Sequence, residues 1–84
     1  MKKRKLLQSI LQNWRNVKFQ DMVSIVTAFG FRLDRTNGSH NIFIHENISE
    51  IVNLQNVKGE AKPYQIKQFL TLVEKYNLQL EDEP

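Results

Sequence analysis

Two short stretches with the alternating pattern of a β-strand are joined by residues that turn the chain back on itself. The first stretch is Phe31–Arg35 and the second covers roughly Ser39–His45. Asn37-Gly38 lies between them, and this dipeptide is typical of a tight hairpin because both residues tolerate a positive φ. The hairpin commits the centre of the chain to an antiparallel sheet, against which the remaining segments must pack.

Apolar residues at helical spacing predict three helices around this hairpin. The first covers residues 3–14, and the second runs from about Lys18 to Ala28, where Gly30 favours a helix end. The last helix runs from about Lys62 to Tyr76. Pro63 suits its first turn, since a missing N–H does no harm there.

One further strand completes the predicted fold. Residues 51–55 supply it, and residues 56–61 are expected to form a loop. The order α-α-β-β-β-α predicts an α+β fold, in which a small three-stranded antiparallel sheet has helices packed on one face. The 84 residues are expected to form a single domain, with residues 3–14 as an additional N-terminal helix.

Composition restricts the classes of function. The net charge of +3 is weak evidence for a polyanionic ligand, because residues 2–5 form a basic start and residues 81–83 an acidic end that suit solvated tails. The absence of cysteine excludes disulfides, a thiolate nucleophile and a cysteine-based zinc site. No apolar run approaches the roughly 20 residues of a membrane span, and the basic start is not followed by a secretory apolar stretch. A cytoplasmic protein without a membrane partner is expected.

Two histidines, His40 and His45, offer a group that titrates near neutral pH. His40 follows Gly38, which lets the backbone approach a ligand closely, and Ser39, whose hydroxyl suits a phosphate or the histidine itself. The motif fits a general base, and it also fits a purely structural start of a strand. His45 is predicted at the surface, up to about 16–18 Å further along an extended strand, too far to act on the same phosphate.

Strand alternation leaves two arrangements open for these histidines, because successive residues point to opposite faces of a sheet. If Ile42 and Ile44 face the core, His40 shares their face and must lie at its rim. If Phe43 faces the core, His45 joins it and His40 lies on the other face.

Basic residues form a second group of candidates. Lys58, Lys62 and Lys67 cluster around the start of the last helix, where free N–H groups and the helix dipole favour anions. Arg32 and Arg35 flank the hairpin that carries the first histidine. Both sets also fit solvated surface charges. No carboxylate has metal-ligand spacing with either histidine, so neither a metal nor another cofactor is expected.

These residues in combination resemble the HicA family of bacterial toxins. The likeness covers about residues 17–80 and rests on five features: Phe29-Gly30-Phe31, Arg35, the run Gly38-Ser39-His40-Asn41-Ile42-Phe43, a third strand, and the closing helix Lys62–Leu70. The resemblance implies a fold similar to a double-stranded-RNA-binding domain (dsRBD). It also implies an mRNA endoribonuclease with His40 as its catalytic residue, and a HicB-type antitoxin as protein partner.

The implied chemistry needs few groups. RNA carries its own nucleophile, the 2′-hydroxyl, and a histidine that removes its proton lets the oxygen attack the adjacent phosphate without a metal. Lysine or arginine stabilises the charge that develops. Two alternatives stay open: a non-catalytic module of the same fold that binds RNA or antitoxin, and a protein-interaction domain whose N-terminal helix packs on a partner. The sequence makes no prediction of the oligomeric state.

Overall fold

Three helices and four strands make up residues 2–81, the part of the chain that the computed structural model describes. In chain order these are α1 (Lys2–Gln12), α2 (Phe19–Ala28), β1 (Arg32–Asn37), β2 (His40–His45), β3 (Ile48–Val57), β4 (Glu60–Ala61) and α3 (Pro63–Lys75). The α+β class is confirmed, and each helix begins and ends within two residues of its predicted bounds. Asp82 and Glu83 of the predicted acidic end lie outside the described residues.

The strands form one antiparallel sheet in the order β1-β2-β3-β4, so the prediction of three strands is wrong. Residues 56–61, predicted as a loop, instead extend β3 and form the two-residue β4. They turn at Lys58-Gly59, where both residues have a positive φ, 53° and 87°, as a type I′ turn requires. The prediction missed this hairpin because a lysine occupies a position where asparagine or glycine is usual.

The central hairpin is confirmed, with its loop one residue later than the dipeptide predicts. Asn37 and His40 are register partners, so the loop residues are Gly38 and Ser39. Gly38 has φ +65°, and a glycine in the first loop position is typical of a type II′ turn. This turn makes His40 the first residue of β2.

The core lies between the helices and one face of the sheet. Four buried strand residues supply the sheet side: Phe43, Val52, Leu54 and Ala61. At the junction of α2 and β1, Phe29 and Phe31 meet Phe69 edge to face, with ring centroids 5.5 and 5.7 Å apart, a favoured aromatic geometry. Of the helices within residues 2–81, none is long and apolar enough to cross a membrane.

Candidate functional site

The side of the sheet that faces away from the helices carries His40. Within β2, Phe43 and His45 are buried on the helix side, whereas His40 is exposed on the other side. Of the two arrangements that the sequence leaves open, the structure therefore has Phe43 in the core. We call the second side the open face, and register pairing assigns eight residues to it: Arg32, Arg35, Asn37, His40, Ile42, Ile44, Asn53 and Gln55.

A β-bulge brings both arginines to the open face. Arg32 and Arg35 are three residues apart, so a regular strand would place them on opposite faces. The register with β2 shifts between Leu33 and Arg35, which makes Asp34 the extra residue and returns Arg35 to the face of Arg32. Arg35 also forms an exposed ion pair with Asp34, a contact of small energetic value.

The ring of His40 has a hydrogen-bonding partner on the adjacent strand. Its Nδ1 atom lies 3.2 Å from Oδ1 and 2.9 Å from Nδ2 of Asn53. Asn53 is the register partner of Ile42, one position along the open face. The contact engages Nδ1 and leaves Nε2 as the ring nitrogen that a ligand can reach. The sequence analysis did not single out Asn53, although its alternation with Val52 and Leu54 places it on the polar side of β3.

A hydrogen-bonded chain connects the hairpin loop to the start of α3. Gln55 donates from Nε2 to the Ser39 hydroxyl at 3.3 Å, and its Oε1 accepts from Gln65 Nε2 at 2.9 Å. Gln65 Oε1 accepts from the backbone N–H of Gln55 at 2.8 Å, and Gln65 Nε2 lies 3.5 Å from the Tyr64 hydroxyl. Gln65 is 1% exposed, so its amide is a buried polar group with its partners supplied. The loop and the α3 N-terminus therefore lie at the same end of the sheet.

The three candidate lysines have different neighbours. Lys62 precedes α3, and its Nζ lies 5.8 Å from the centre of the Tyr64 ring. Lys67 lies one turn further along, with Nζ 6.0 Å from the centre of the Trp14 ring and thus towards the α1 side. Lys58 is exposed in the β3–β4 turn. Of the three, Lys62 is the one whose stacking partner joins the hydrogen-bonded chain from the hairpin.

His45 is buried, which corrects the prediction of a surface histidine. It is 9% exposed and packs edge to face on Phe31 with ring centroids 5.0 Å apart, while its Nδ1 accepts the backbone N–H of Asn47 at 3.1 Å. Gly30, at φ +96°, lies against the same ring, and a Cβ there would come within 2.9 Å of His45 Nε2. The prediction failed because strand alternation carries His45 to the helix side, opposite His40.

A cluster around Glu50 ties the end of α3 to β3 on the helix side of the sheet. Glu50 accepts the Tyr76 hydroxyl at 2.6 and 2.7 Å and the Lys75 ammonium at 2.9 Å. The hydrogen bond from Tyr76, and then that from Lys75, lowers the pKa of Glu50 to about 2. The hydrogen bonds to Glu50 raise the pKa of both Tyr76 and Lys75. Within residues 2–81, no three histidine or acidic side chains are grouped so as to hold a metal ion.

Comparison with known proteins identifies one family. A family model described as the HicA toxin of bacterial toxin–antitoxin systems matches residues 19–74. The match begins with α2 and ends one residue before the end of α3, so it includes the whole sheet and every candidate residue and leaves α1 outside. No curated protein and no solved structure matches the chain.

Proposed function

Because this chain belongs to the HicA toxin family of bacterial toxin–antitoxin systems, we propose that it is an endoribonuclease that cleaves mRNA with His40 as general base. The observation that supports this most strongly is the position of His40. It lies exposed on the open face, with Nδ1 held by Asn53, and Arg32 and Arg35 lie on the same face.

The proposed reaction uses the RNA's own 2′-hydroxyl as nucleophile. His40 Nε2 takes the proton from this hydroxyl, and the 2′-oxygen attacks the adjacent phosphorus. The bond from phosphorus to the 5′-oxygen breaks, and that oxygen takes a proton from solvent or from a lysine. The products carry a 2′,3′-cyclic phosphate and a 5′-hydroxyl. A positioned base typically contributes about 10²–10⁴-fold to such a rate.

The hairpin and its surroundings hold the phosphate backbone in this proposal. Gly38 leaves open space where a side chain would begin, since a Cβ there has no atom within 4 Å, and this lets a phosphate approach the loop. Ser39 offers a hydroxyl, and Arg35 stabilises the charge that develops on the attacked phosphate.

The lysines extend the proposed binding surface away from the hairpin. Lys62 contacts phosphate at the start of α3, beside Tyr64, whose exposed ring stacks on a base in this proposal. In this proposal Lys58, in the β3–β4 turn, and Lys67, whose Nζ lies near the Trp14 ring, contact the RNA backbone farther from the cleaved bond. The overall layout corresponds in this proposal to a dsRBD-like fold.

The proposed protein partner is a HicB-type antitoxin in the cytoplasm. The candidate site lies on an exposed sheet face, so one protein surface laid across it would keep RNA away from His40. This partner and the mRNA then compete for the same face.

Expression of the toxin without an antitoxin tests the proposal in cells. We expect His40→Ala to abolish growth arrest and mRNA loss while the circular dichroism spectrum and thermal midpoint stay those of the wild type, because the side chain is exposed and leaves no cavity. Gln68→Ala, an exposed change on the helix side, serves as the matched control and should stay toxic. A His40→Ala protein that arrests growth as strongly as the wild type would overturn the assignment.

A further inference from the structure

We infer that Asn53 is a positioning residue for His40. The amide oxygen of Asn53 accepts the Nδ1–H of His40 and so favours the His40 tautomer in which Nε2 carries no proton and faces the RNA. The inference rests on the proposed ribonuclease function, which requires His40 to accept a proton. It assigns a role to a side chain on a different strand from the Gly-Ser-His motif.

The geometry makes Asn53 the neighbour that orients this ring. His40 is exposed, so packing does not fix its rotation. Gln55 is its direct register partner on β3, but the Gln55 amide is engaged with Ser39 and Gln65. Asn53 is half-buried, and both atoms of its amide lie within hydrogen-bonding distance of His40 Nδ1.

If His40 acts as a general base, the Asn53 atom that pairs with its Nδ1 must be the amide oxygen. A neutral imidazole carries one N–H, so a bare Nε2 requires the proton on Nδ1, and that proton needs an acceptor. If Asn53 Nδ2 donated to Nδ1 instead, the proton would lie on Nε2 and the ring could not accept the 2′-hydroxyl proton. Once Nε2 has taken that proton, both nitrogens are donors, and Oδ1 is the Asn53 atom that stabilises the resulting imidazolium.

Asn53→Leu tests this role, since leucine has a similar volume and no amide. Long-range ¹H–¹⁵N spectra of the full chain report which His40 nitrogen carries the proton. We expect Nδ1–H in the wild type and a shift towards Nε2–H, the form that free histidine favours, in Asn53→Leu. The kcat for RNA cleavage should fall about 10- to 100-fold, within the contribution of a positioned base, with KM changed less than about twofold.

Asn37→Leu is the matched control. Asn37 flanks His40 from the other side as its register partner on β1, and no hydrogen bond joins their side chains within the described structure. Its tautomer spectrum and kcat should equal those of the wild type.

Asn53→Asp tests whether the side chain at position 53 reaches Nδ1 of His40 in solution. A carboxylate accepts the Nδ1–H and favours the charged imidazolium. The midpoint of the His40 titration, followed by NMR, should therefore move to higher pH, and the acid limb of the pH–rate profile should move with it.

The outcomes separate this inference from the proposed function. A wild-type protein that cleaves no RNA contradicts the proposed function, and the tautomer spectra still decide the role of Asn53. An active wild type with the same His40 tautomer and the same kcat in Asn53→Leu would overturn the positioning role and leave the ribonuclease intact.

Discussion

Arg35 shows how a local irregularity of a strand decides the face on which a single residue lies. The bulge at Asp34 turns Arg35 to the face of His40, where we propose that its guanidinium contacts the phosphate. Strand alternation alone predicts that Arg32 and Arg35 point apart. Their shared face therefore could not be predicted, because no residue in this stretch identifies the bulge from the sequence.

We expect Arg35→Gln to weaken the binding of single-stranded RNA and to reduce the salt dependence of that binding. Loss of one phosphate contact should lower the slope of log K against log salt concentration by about 0.7. Titrations with fluorescent RNA at several salt concentrations, on the His40→Ala background to prevent cleavage, measure this slope. Arg15→Gln removes the same charge in the connection between α1 and α2. It is the control variant, and its slope should equal that of the His40→Ala protein. Equal slopes in the two variants would contradict a phosphate contact at Arg35.

Gln65 is the residue on which the link between hairpin and α3 depends. Gln65→Leu would leave the backbone N–H of Gln55 without its acceptor, which we expect to cost about 1–3 kcal/mol of the free energy of unfolding. Urea denaturation measures this cost. Gln68→Leu, exposed on the same helix, should change the free energy by less than about 0.5 kcal/mol. Similar values for both variants would show that the buried amide network contributes nothing to stability.

The elements differ in how far their sequences predict them. The central hairpin is predictable because Asn37-Gly38 separates two alternating stretches, and the observed loop lies one residue later than predicted. The second hairpin is not predictable from sequence, since Lys58 adopts a left-handed backbone conformation that a lysine does not favour. Two hydrogen bonds from neighbouring residues stabilise this turn: the Asn56 side chain accepts the N–H of Gly59 at 2.7 Å, and Phe19 donates its N–H to the Gly59 carbonyl at 2.8 Å.

The Glu50 cluster makes the attachment of α3 to β3 dependent on pH. The pKa of Glu50 is lower in the folded chain than its ordinary value of 4.5, so the cluster's contribution is complete above that value and is lost as pH falls through about 2. We expect Tyr76→Phe to lower the thermal midpoint clearly at about pH 6 and much less at about pH 2.5. Thermal melts at the two pH values measure both differences.

Acid protonates many groups, so a double-variant comparison tests whether the effect of Tyr76→Phe on the thermal midpoint depends on Glu50. In a Glu50→Gln background, Tyr76→Phe should lower the thermal midpoint less than it does in the wild type, because the carboxylate that accepts the hydroxyl is gone. An equal loss in both backgrounds would contradict the role of this carboxylate.

At the scale of the whole molecule, the two sides of the sheet carry different kinds of residue. The helix side holds the aromatic core and buries His45, whereas the open face presents His40 with two arginines. The composition, with its net charge of +3, predicts little of this. The division follows from alternation and register, and the sequence leaves the choice between Phe43 and its isoleucine neighbours as the core-facing residue open.

The family match covers the sheet and the candidate site but not helix α1. The matched region, residues 19–74, contains the sheet, α2 and nearly all of α3, and therefore the complete candidate site. Helix α1 lies outside the match and packs on the core through Ile10. The Gly-Ser-His motif and its resemblance to the family suggest the candidate site residues from sequence. Asn53 became apparent only from the strand register, and Gln65 only from its hydrogen bonds to Gln55.

Cleavage of a defined RNA in EDTA by the purified chain tests the central claim most directly. We expect the wild type to produce fragments ending in a 2′,3′-cyclic phosphate, to leave an oligonucleotide with 2′-deoxyribose at the cleaved position intact, and to lose at least about 10²-fold in rate on His40→Ala. Cleavage of the 2′-deoxy substrate, or an undiminished rate in His40→Ala, would contradict the account.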